Sequence, residues 1–305
     1  MALPDFLIIG EQKCGSTTLW AMLREHPGVF FPDEKELHYW ASYPQWSPIG
    51  RFGSTSLDAY AEQFAPAGDR LAGEATPNYL FDPGACERIA EHLPGVRAIA
   101  ILRDPVERAW SHYWHQVRRD EERLSFEAAI DAEAARLAEG GPEAMESMSY
   151  TTRGHYVRSL ERWWGALGRD RVLVTCLDDL KADPDGVINR VTEFLGLPPM
   201  AGGARRGAPQ RNRASYPKYP RLNRLARSAR RSVESLGGPW ARAAAQLAKR
   251  TQQWRVYSGQ PRMNAAVRHR LDSLYEPSDR QLADELQRPL PWRDPHHLQA
   301  QGGAA

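Results

Sequence analysis

Short apolar runs alternate with longer amphipathic stretches along most of this chain, and that alternation limits the folds open to it. The runs that predict buried strands are Phe6–Ile9, Arg70–Gly73, Val96–Leu102 and Arg171–Leu177. The stretches that predict helices are about Thr17–Glu25, about Val106–Arg118, Tyr156–Leu167, a stretch from Asp183-Pro184 to near Phe194–Gly196 and, on the surface, Ser125–Gly140. This order predicts an α/β fold, in which helices flank a mostly parallel central sheet.

The composition excludes several classes of protein. A chain of 305 residues can bury one large core or two smaller ones, and its ten tryptophans, eleven tyrosines and eight phenylalanines exclude a disordered protein. The net charge of +2 argues against a protein that coats nucleic acid over its whole surface. The three cysteines lie far apart, in no metal-ligand spacing and too sparse for a disulfide scaffold. Without a leader peptide or an apolar run of about 18 residues, a cytoplasmic protein with no integral membrane segment is expected.

The basic residues are unevenly distributed. Residues 201–250 contain thirteen of them against the single acid Glu234, which gives this segment a charge of +12 and the rest of the chain −10. Arginines recur there at helical spacing, so a solvated basic helix face explains the segment, and binding of nucleic acid or anionic lipid is the alternative. Arginine replaces lysine almost everywhere, and the five lysines that remain are Lys13, Lys35, Lys181, Lys218 and Lys249.

The loop after the first predicted strand has the form of an anion cradle. Successive backbone N–H groups followed by the start of a helix attract anions. Gly10 and Gly15 have the spacing of a P-loop, but Ser16 stands where a Walker A loop needs lysine. Lys13 lies inside the loop instead, so its charge is moved toward the phosphate nearest the loop. The pattern predicts a phosphate or sulfate site.

A second anion site is predicted after the strand Val96–Leu102. Asp104-Pro105 ends that strand and begins a helix, so Arg103 lies at the carboxyl edge of the sheet, where ligands bind in open α/β folds. Ser111 follows about two helical turns later, and an arginine with a nearby hydroxyl can hold a second phosphate. Arg108, between them, is interpreted as a surface ion-pair partner.

Together these motifs resemble the sulfotransferases that use 3′-phosphoadenosine 5′-phosphosulfate (PAPS), in the branch that contains the Golgi heparan-sulfate sulfotransferases and many bacterial relatives. Residues 12–18 are similar to that family's 5′-phosphosulfate loop, and residues 102–111 are similar to its 3′-phosphate motif. Further similar segments, in family order, are Lys35–Trp40, Gly73–Tyr79, Arg153–Tyr156, Asp178–Lys181 and Leu274–Trp292. The resemblance covers nearly the whole chain, from about Pro4 to Trp292.

The resemblance implies a P-loop-like α/β sulfotransferase domain over residues 1–292, with an Arg-rich loop or helical segment at 200–260, helical C-terminal additions and a flexible tail at 293–305. It implies that Lys13 stabilises the leaving 5′-phosphate and that Glu36 is the general base. His38 is the other candidate base, because on an extended segment it would share a face with Glu36. The residues implied to bind PAPS are Lys13, Cys14, Gly15, Ser16, Thr17, Thr18, Arg103, Ser111 and, in a basic loop near the C-terminus, Arg213. No metal ion is expected.

The acceptor is expected to be a hydroxyl, in preference to an amine, of a small molecule, glycan or glycolipid, as in bacterial secondary metabolism. Aromatic residues are interpreted either as a wall of the acceptor cleft or as core: Trp40, Tyr43, Trp46, Trp110, Tyr113 and Trp114. Ala75 stands where the Golgi enzymes often have a lysine that meets an anionic glycan, which argues against a heparan-like acceptor. A monomer or homodimer is expected.

Two other functions remain open at this stage. A P-loop small-molecule kinase would explain the first loop, although the displaced Lys13 and the lack of an obvious Walker B aspartate count against it. A non-enzymatic protein could bind anions or nucleic acid through residues 201–250, and such binding would weaken steeply with salt.

Overall fold

The structure is a computed structural model of the chain, and it describes residues 2–42, 47–50, 52–200, 215–217, 256–258 and 262–294. Its centre is a five-stranded parallel sheet with the strand order β2-β3-β1-β4-β5. The strands are β1 (Phe6–Gly10), β2 (Val29–Phe30), β3 (Leu71–Ala75), β4 (Arg97–Leu102) and β5 (Val172–Cys176). The four strands expected from apolar runs are confirmed, and the two-residue β2 is an additional strand that was not predicted.

Helices cover both faces of the sheet. They are α1 (Ser16–Leu23), α2 (Leu57–Glu62), α3 (Pro83–His92), α4 (Pro105–Arg119), α5 (Phe126–Asp131), α6 (Glu133–Glu139), α7 (Gly141–Ser147), α8 (Tyr156–Leu167), α9 (Leu177–Ala182), α10 (Pro184–Leu195) and α11 (Ala265–Leu286). A second, antiparallel pair consists of β6 (Ser215–Pro217) and β7 (Val256–Ser258). Within the described ranges, every helix is either too short or too polar to span a bilayer.

Strand β1 is buried on both sides because its residues alternate between two apolar clusters. Leu7 and Ile9 pack into the cluster formed with α3 and α8, whereas Phe6 and Ile8 pack into the one formed with α1 and α10. The register places Phe6 beside Gly73 of β3, and a Cβ at Gly73 would lie 2.3 Å from Phe6 Cζ. A residue without a side chain is therefore required there.

Three helices begin at an Asp-Pro pair. The aspartate side chain accepts hydrogen bonds from backbone N–H groups of the first turn, and the proline occupies the first helical position at α3, α4 and α10. At α4 and α10 these starts agree with the helices predicted from the sequence, whereas α3 was not predicted. The single surface helix predicted over Ser125–Gly140 is wrong: the chain forms α5 and α6, which meet at Ala132, and α5 buries Phe126 against α4.

The C-terminal helix α11 packs against the sheet's helical layer. Leu271 and Tyr275 share a buried cluster with Val106 and Tyr113 of α4, and Leu282 packs into the cluster around α8. Gly154 precedes α8 and faces this helix, where a Cβ would lie 2.5 Å from the Tyr275 ring. The predicted α/β class and its helical C-terminal additions are confirmed.

Candidate active site

The loop between β1 and α1 leaves the start of the helix open to an anion. Gly15 precedes the first turn of α1 with φ 99°, and no side chain caps that helix, in contrast to α3, α4 and α10. A Cβ at Gly15 would lie 2.6 Å from Leu177 Cδ1, so only glycine fits. Lys13 also has positive φ, 72°. Uncapped N–H groups at a helix start can bind phosphate or sulfate oxygens.

A buried ion pair anchors the beginning of this loop. Glu11, directly after β1, meets the guanidinium of Arg153 at 2.7 Å, and both side chains are about 1% exposed. The Glu11 carboxylate also accepts the N–H of Gln12 at 2.7 Å, and Arg153 donates to Asn78 Oδ1 at 3.0 Å. Sequence reasoning missed Glu11, because its partner lies 142 residues away; the motif around Arg153 was the only available signal.

Cys14 faces the core from the same loop. Its sulfur lies 3.7 Å from the Tyr156 hydroxyl, burial raises the pKa of the thiol to about 12, and its N–H donates to the Glu11 carbonyl oxygen at 3.1 Å. Ser16 is buried at the first position of α1, whereas Thr17 and Thr18 are partly exposed. Of the hydroxyls predicted to hold the 5′-phosphate, the two threonines are therefore the more accessible.

Lys13 lies among other charges. Burial, together with the charges of Arg118 and Arg103, lowers the pKa of its ammonium to about 8, although the charge of Glu36 acts in the opposite direction. These three side chains therefore lie within electrostatic reach of Lys13. The structure thus brings Glu36 and Arg103 to the same edge of the sheet as Lys13, although they lie 23 and 90 residues after it in the sequence.

Arg103 follows β4 and bridges two loops. Its guanidinium donates to Glu107 Oε2 at 3.1 Å and, at 3.4 Å, to the carbonyl oxygen of Lys13. Its own carbonyl oxygen accepts the Tyr156 hydroxyl at 2.8 Å. Ser111 lies two turns into α4 and is partly exposed. The predicted second anion site therefore adjoins the first through direct contacts.

Glu36 lies between two basic side chains. Its carboxylate is 2.6 Å from Lys35 Nζ and 3.4 Å from His38 Nε2. Burial would raise its pKa, but the hydrogen bond with His38 and the charge of Lys35 outweigh burial, and the pKa of Glu36 is lowered to about 2. The expected extended segment is wrong at His38, whose φ of 53° is left-handed, yet the two side chains still meet.

A buried carboxylate supports the segment that carries Glu36. Glu74, at the end of β3, accepts the hydroxyls of Thr76 and Tyr79 on Oε1, each at 2.7 Å, and the hydroxyl of Tyr60 on Oε2. The Thr76 and Tyr79 hydroxyls in turn accept the backbone N–H groups of His38 and Trp40. Glu74 therefore holds the loop after β2 through two hydroxyl relays.

Arg108 is not a surface residue. Its side chain is fully buried and donates to the carbonyl oxygens of Ser149 and Tyr150, which approach the inner face of α4 from a loop. The interpretation as a surface ion pair is wrong because these inward-facing carbonyls need donors, which a guanidinium supplies.

Two residues that sequence reasoning missed lie near the site. His115 accepts a hydrogen bond on Nδ1 from Arg118 at 3.1 Å. Burial and the charges of Lys13, Arg118 and Arg119 lower the pKa of His115 to about 3, so the ring is neutral. The signal was available, because His115 and Arg118 follow Ser111 at helical spacing. Among the described residues, no three His, Cys, Asp or Glu side chains are grouped as metal ligands would be.

Of the six aromatic residues expected either near an acceptor or in the core, four are described by the structure, and they pack in or against the core. Trp40 is completely buried, and Trp110 and Tyr113 pack in the cluster between α4, α5 and α11. Trp114 is partly buried against the same cluster. Tyr43 and Trp46 lie outside the described residues, as do Arg213, most of the basic segment and the tail from 295 onward.

Comparisons with known proteins agree on one family. The family model for the sulfotransferase domain matches residues 3–208. The membrane-associated sulfotransferase kil1 of Dictyostelium discoideum is 33% identical over 122 residues, which are 39% of this chain and 24% of that protein. The mouse (Mus musculus) bifunctional heparan sulfate N-deacetylase/N-sulfotransferase 4 is 28% identical over 208 residues, 65% of this chain and 23% of that protein. The chain thus spans about a quarter of the length of these curated relatives.

A solved structure extends the similarity to the whole fold. The crystal structure of a sulfotransferase from Alicyclobacillus acidocaldarius matches with a TM-score of 0.68 at 25% identity, and the match covers 96% of this chain and 100% of that chain. The shared fold therefore includes the C-terminal part of the chain beyond the residues matched by the family model.

Proposed function

The chain belongs to the sulfotransferase family, and on that premise we propose that it transfers the sulfuryl group of PAPS to a hydroxyl of a small molecule, glycan or glycolipid. The observation that carries the proposal is the convergence of Lys13, Arg103 and Glu36 at one edge of the sheet, beside an uncapped helix start. A kinase loop would place its lysine after Gly15, and this chain has Ser16 there.

The donor fits the two adjacent anion sites. The open N–H groups of α1, with Thr17 and Thr18, would hold the 5′-phosphosulfate, and Arg103 with Ser111 would hold the 3′-phosphate. The direct contact between Arg103 and the Lys13 carbonyl oxygen supports this arrangement, because the two phosphates of one nucleotide need sites that are fixed relative to each other.

The transfer itself follows from the charges at the site. The acceptor oxygen forms a bond to sulfur while the bond between sulfur and the 5′-phosphate oxygen breaks, which leaves 3′,5′-bisphosphoadenosine. Lys13, still mostly an ammonium at neutral pH with its pKa of about 8, stabilises the negative charge on the leaving phosphate. The proton of the acceptor hydroxyl passes to Glu36, which is ionised, and His38 holds that carboxylate in place.

The end of β3 lacks the positive charge that would be expected there in an enzyme whose acceptor is an anionic polysaccharide. Ala75 ends β3 and is completely buried, so this position presents no charge to an acceptor. The name of the mouse relative refers to heparan sulfate and N-sulfation; for this chain we propose a hydroxyl acceptor, in preference to an amine.

Nucleotide binding and turnover test the proposal. Purified protein is titrated with 3′,5′-bisphosphoadenosine and with ATP·Mg, and PAPS consumption is followed with a panel of phenolic, glycan and lipid hydroxyl acceptors. We expect binding of the bisphosphate, weak or no binding of ATP·Mg, and turnover that Lys13→Ala abolishes. Tight binding of ATP·Mg alone would assign the chain to kinase-like chemistry. Salt-sensitive binding of nucleic acid without any nucleotide binding would assign it to the non-enzymatic class.

A further inference from the structure

Arg268 on the C-terminal helix α11 binds the residues that surround Arg103. Its guanidinium donates to Glu107 Oε1 at 2.6 Å, to Asp104 Oδ2, and to Asp272 Oδ2 at 3.4 Å. Asp104 also caps α4 through the N–H groups of its first turn. A residue more than 150 positions away in sequence thus fixes the start of the helix that carries Ser111.

Glu107 is shared between two arginines. One oxygen, Oε1, accepts from Arg268, and the other, Oε2, accepts from Arg103 at 3.1 Å. This sharing has two effects on Arg103. The contact with Arg268 fixes the direction from which Glu107 meets the Arg103 guanidinium. The positive charge of Arg268 also offsets the negative charges of Asp104 and Glu107, which would otherwise repel an anion beside Arg103.

We propose that Arg268 is a positioning residue that acts through Glu107 on Arg103 and thereby sets the preference of this protein for nucleotides with a 3′-phosphate. The inference deepens the proposed function and rests on it, because it assigns the 3′-phosphate to Arg103. Arg268 itself faces the carboxylates, so its removal changes the charge and orientation of the group that binds the phosphate, while the 5′-phosphate loop keeps its own contacts.

The test compares two nucleotides that differ only in the 3′-phosphate. Dissociation constants for 3′,5′-bisphosphoadenosine and for 5′-AMP are measured by calorimetry on the full chain and on Arg268→Gln. We expect the bisphosphate to bind about five- to tenfold more weakly to the variant, in line with couplings inside one salt-bridge network, and 5′-AMP to bind unchanged. Arg268→Lys, which restores the charge, should recover part of the loss.

A matched control lies on the same helix. Arg270 pairs with Asp131 at 2.6 Å, and both side chains are more than half exposed. Arg270→Gln should leave both dissociation constants unchanged. In the Arg268→Gln background, Glu107→Gln should recover part of the bisphosphate affinity, because it removes one of the two carboxylates left uncompensated. A double variant that binds the bisphosphate no better than Arg268→Gln alone overturns the route through Glu107.

Three other outcomes overturn the inference, and Arg103→Gln distinguishes the last two. If Arg268→Gln weakens both nucleotides equally, Arg268 is only structural. If Arg103→Gln reduces the preference for the bisphosphate and Arg268→Gln does not, the inference fails while the proposed function stands. If Arg103→Gln leaves that preference unchanged, the assignment of the 3′-phosphate to Arg103 fails, and the inference fails with it.

Discussion

The hydroxyl of Tyr156 donates a hydrogen bond to the carbonyl oxygen of Arg103 across 2.8 Å, and this hydroxyl oxygen also lies 3.7 Å from the sulfur of Cys14. Tyr156 begins α8 and is buried, so a single side chain joins the end of β4 to the loop after β1. The two proposed phosphate sites are therefore linked in two ways: through the buried Tyr156 side chain and through the contact between Arg103 and the Lys13 carbonyl oxygen.

Removal of this hydroxyl should weaken donor binding more than turnover. Tyr156→Phe loses one buried hydrogen bond, so we expect a stability loss of about 0.5–1.5 kcal/mol and a severalfold rise in the KM for PAPS with a smaller change in kcat. Tyr113→Phe is the control, because Tyr113 also donates to a backbone carbonyl oxygen, that of Leu124, but away from the loops. An equal rise of KM in both variants would contradict the coupling.

The rate should fall at alkaline pH. Lys13 carries its charge below its pKa of about 8 and loses it above, so kcat/KM for PAPS should be retained below pH 8 and decline as pH rises through that value. A pH–rate profile from pH 6 to 10 measures this. Lys13→Arg keeps its charge throughout and should show low activity without the alkaline decline. A wild-type profile that stays level up to pH 10 would contradict the assignment.

Lys13 should cost the protein stability. The unfolded ammonium has a pKa of 10.5 and the folded one about 8, so the folded state binds the proton less well, and the full cost is present at pH 7. Lys13→Met should raise the free energy of unfolding in urea at pH 7 by roughly 1–3 kcal/mol, and the gain should disappear toward pH 10.5. Arg280→Met, at an exposed ion pair with Glu276, should change stability by less than about 0.5 kcal/mol.

Glu36→Gln should separate chemistry from donor binding. If Glu36 accepts the proton, kcat should fall by about 10²–10⁴-fold while the affinity for 3′,5′-bisphosphoadenosine is unchanged. Because the pKa of Glu36 is about 2, the wild-type rate should not decline between pH 7 and pH 5. A Glu36→Gln variant that keeps a kcat close to that of the wild type would move the role to His38.

Glu74 should matter for both stability and rate. Glu74→Ala leaves three buried hydroxyls without their acceptor and releases the loop at His38 and Trp40, so we expect a loss of about 2–4 kcal/mol and a lower kcat. Glu122→Ala is the comparison, since Glu122 is a buried acceptor for Tyr150 and Arg136 outside the site. Glu122→Ala should destabilise the protein but leave the kcat of the folded fraction unchanged. Urea unfolding measures the stability of both variants, and rates at saturating PAPS measure their kcat.

Local patterns were sufficient to predict the framework of this fold. The apolar runs of β1 and β4 and the Asp-Pro pairs at α4 and α10 each carry their signal within a few residues. The strand β2 is too short to give such a signal, and the break at Ala132 has no glycine or proline to mark it.

Contacts between distant segments were beyond local patterns. Nothing near Glu11 indicates its pairing with Arg153, and the burial of Arg108 depends on carbonyl groups from residues 149 and 150. The left-handed turn at His38 depends on Thr76, which accepts its N–H from the neighbouring strand end. The roles of the individual site residues, including Arg213, and the single unit over residues 1–292 stay predictions.

The strand order β2-β3-β1-β4-β5 places two groups of site residues on different parts of the sheet edge. The segments after β1 and β4 carry Lys13 and Arg103, whereas those after β2 and β3 carry Glu36 and the hydroxyls that support it. With the roles proposed above for these residues, recognition of the nucleotide and choice of the acceptor would belong to separate halves of the sheet. We expect that loops grafted after β2 and β3 can redirect this protein to new acceptors while its hold on the nucleotide is inherited unaltered, which makes the fold modular for engineering.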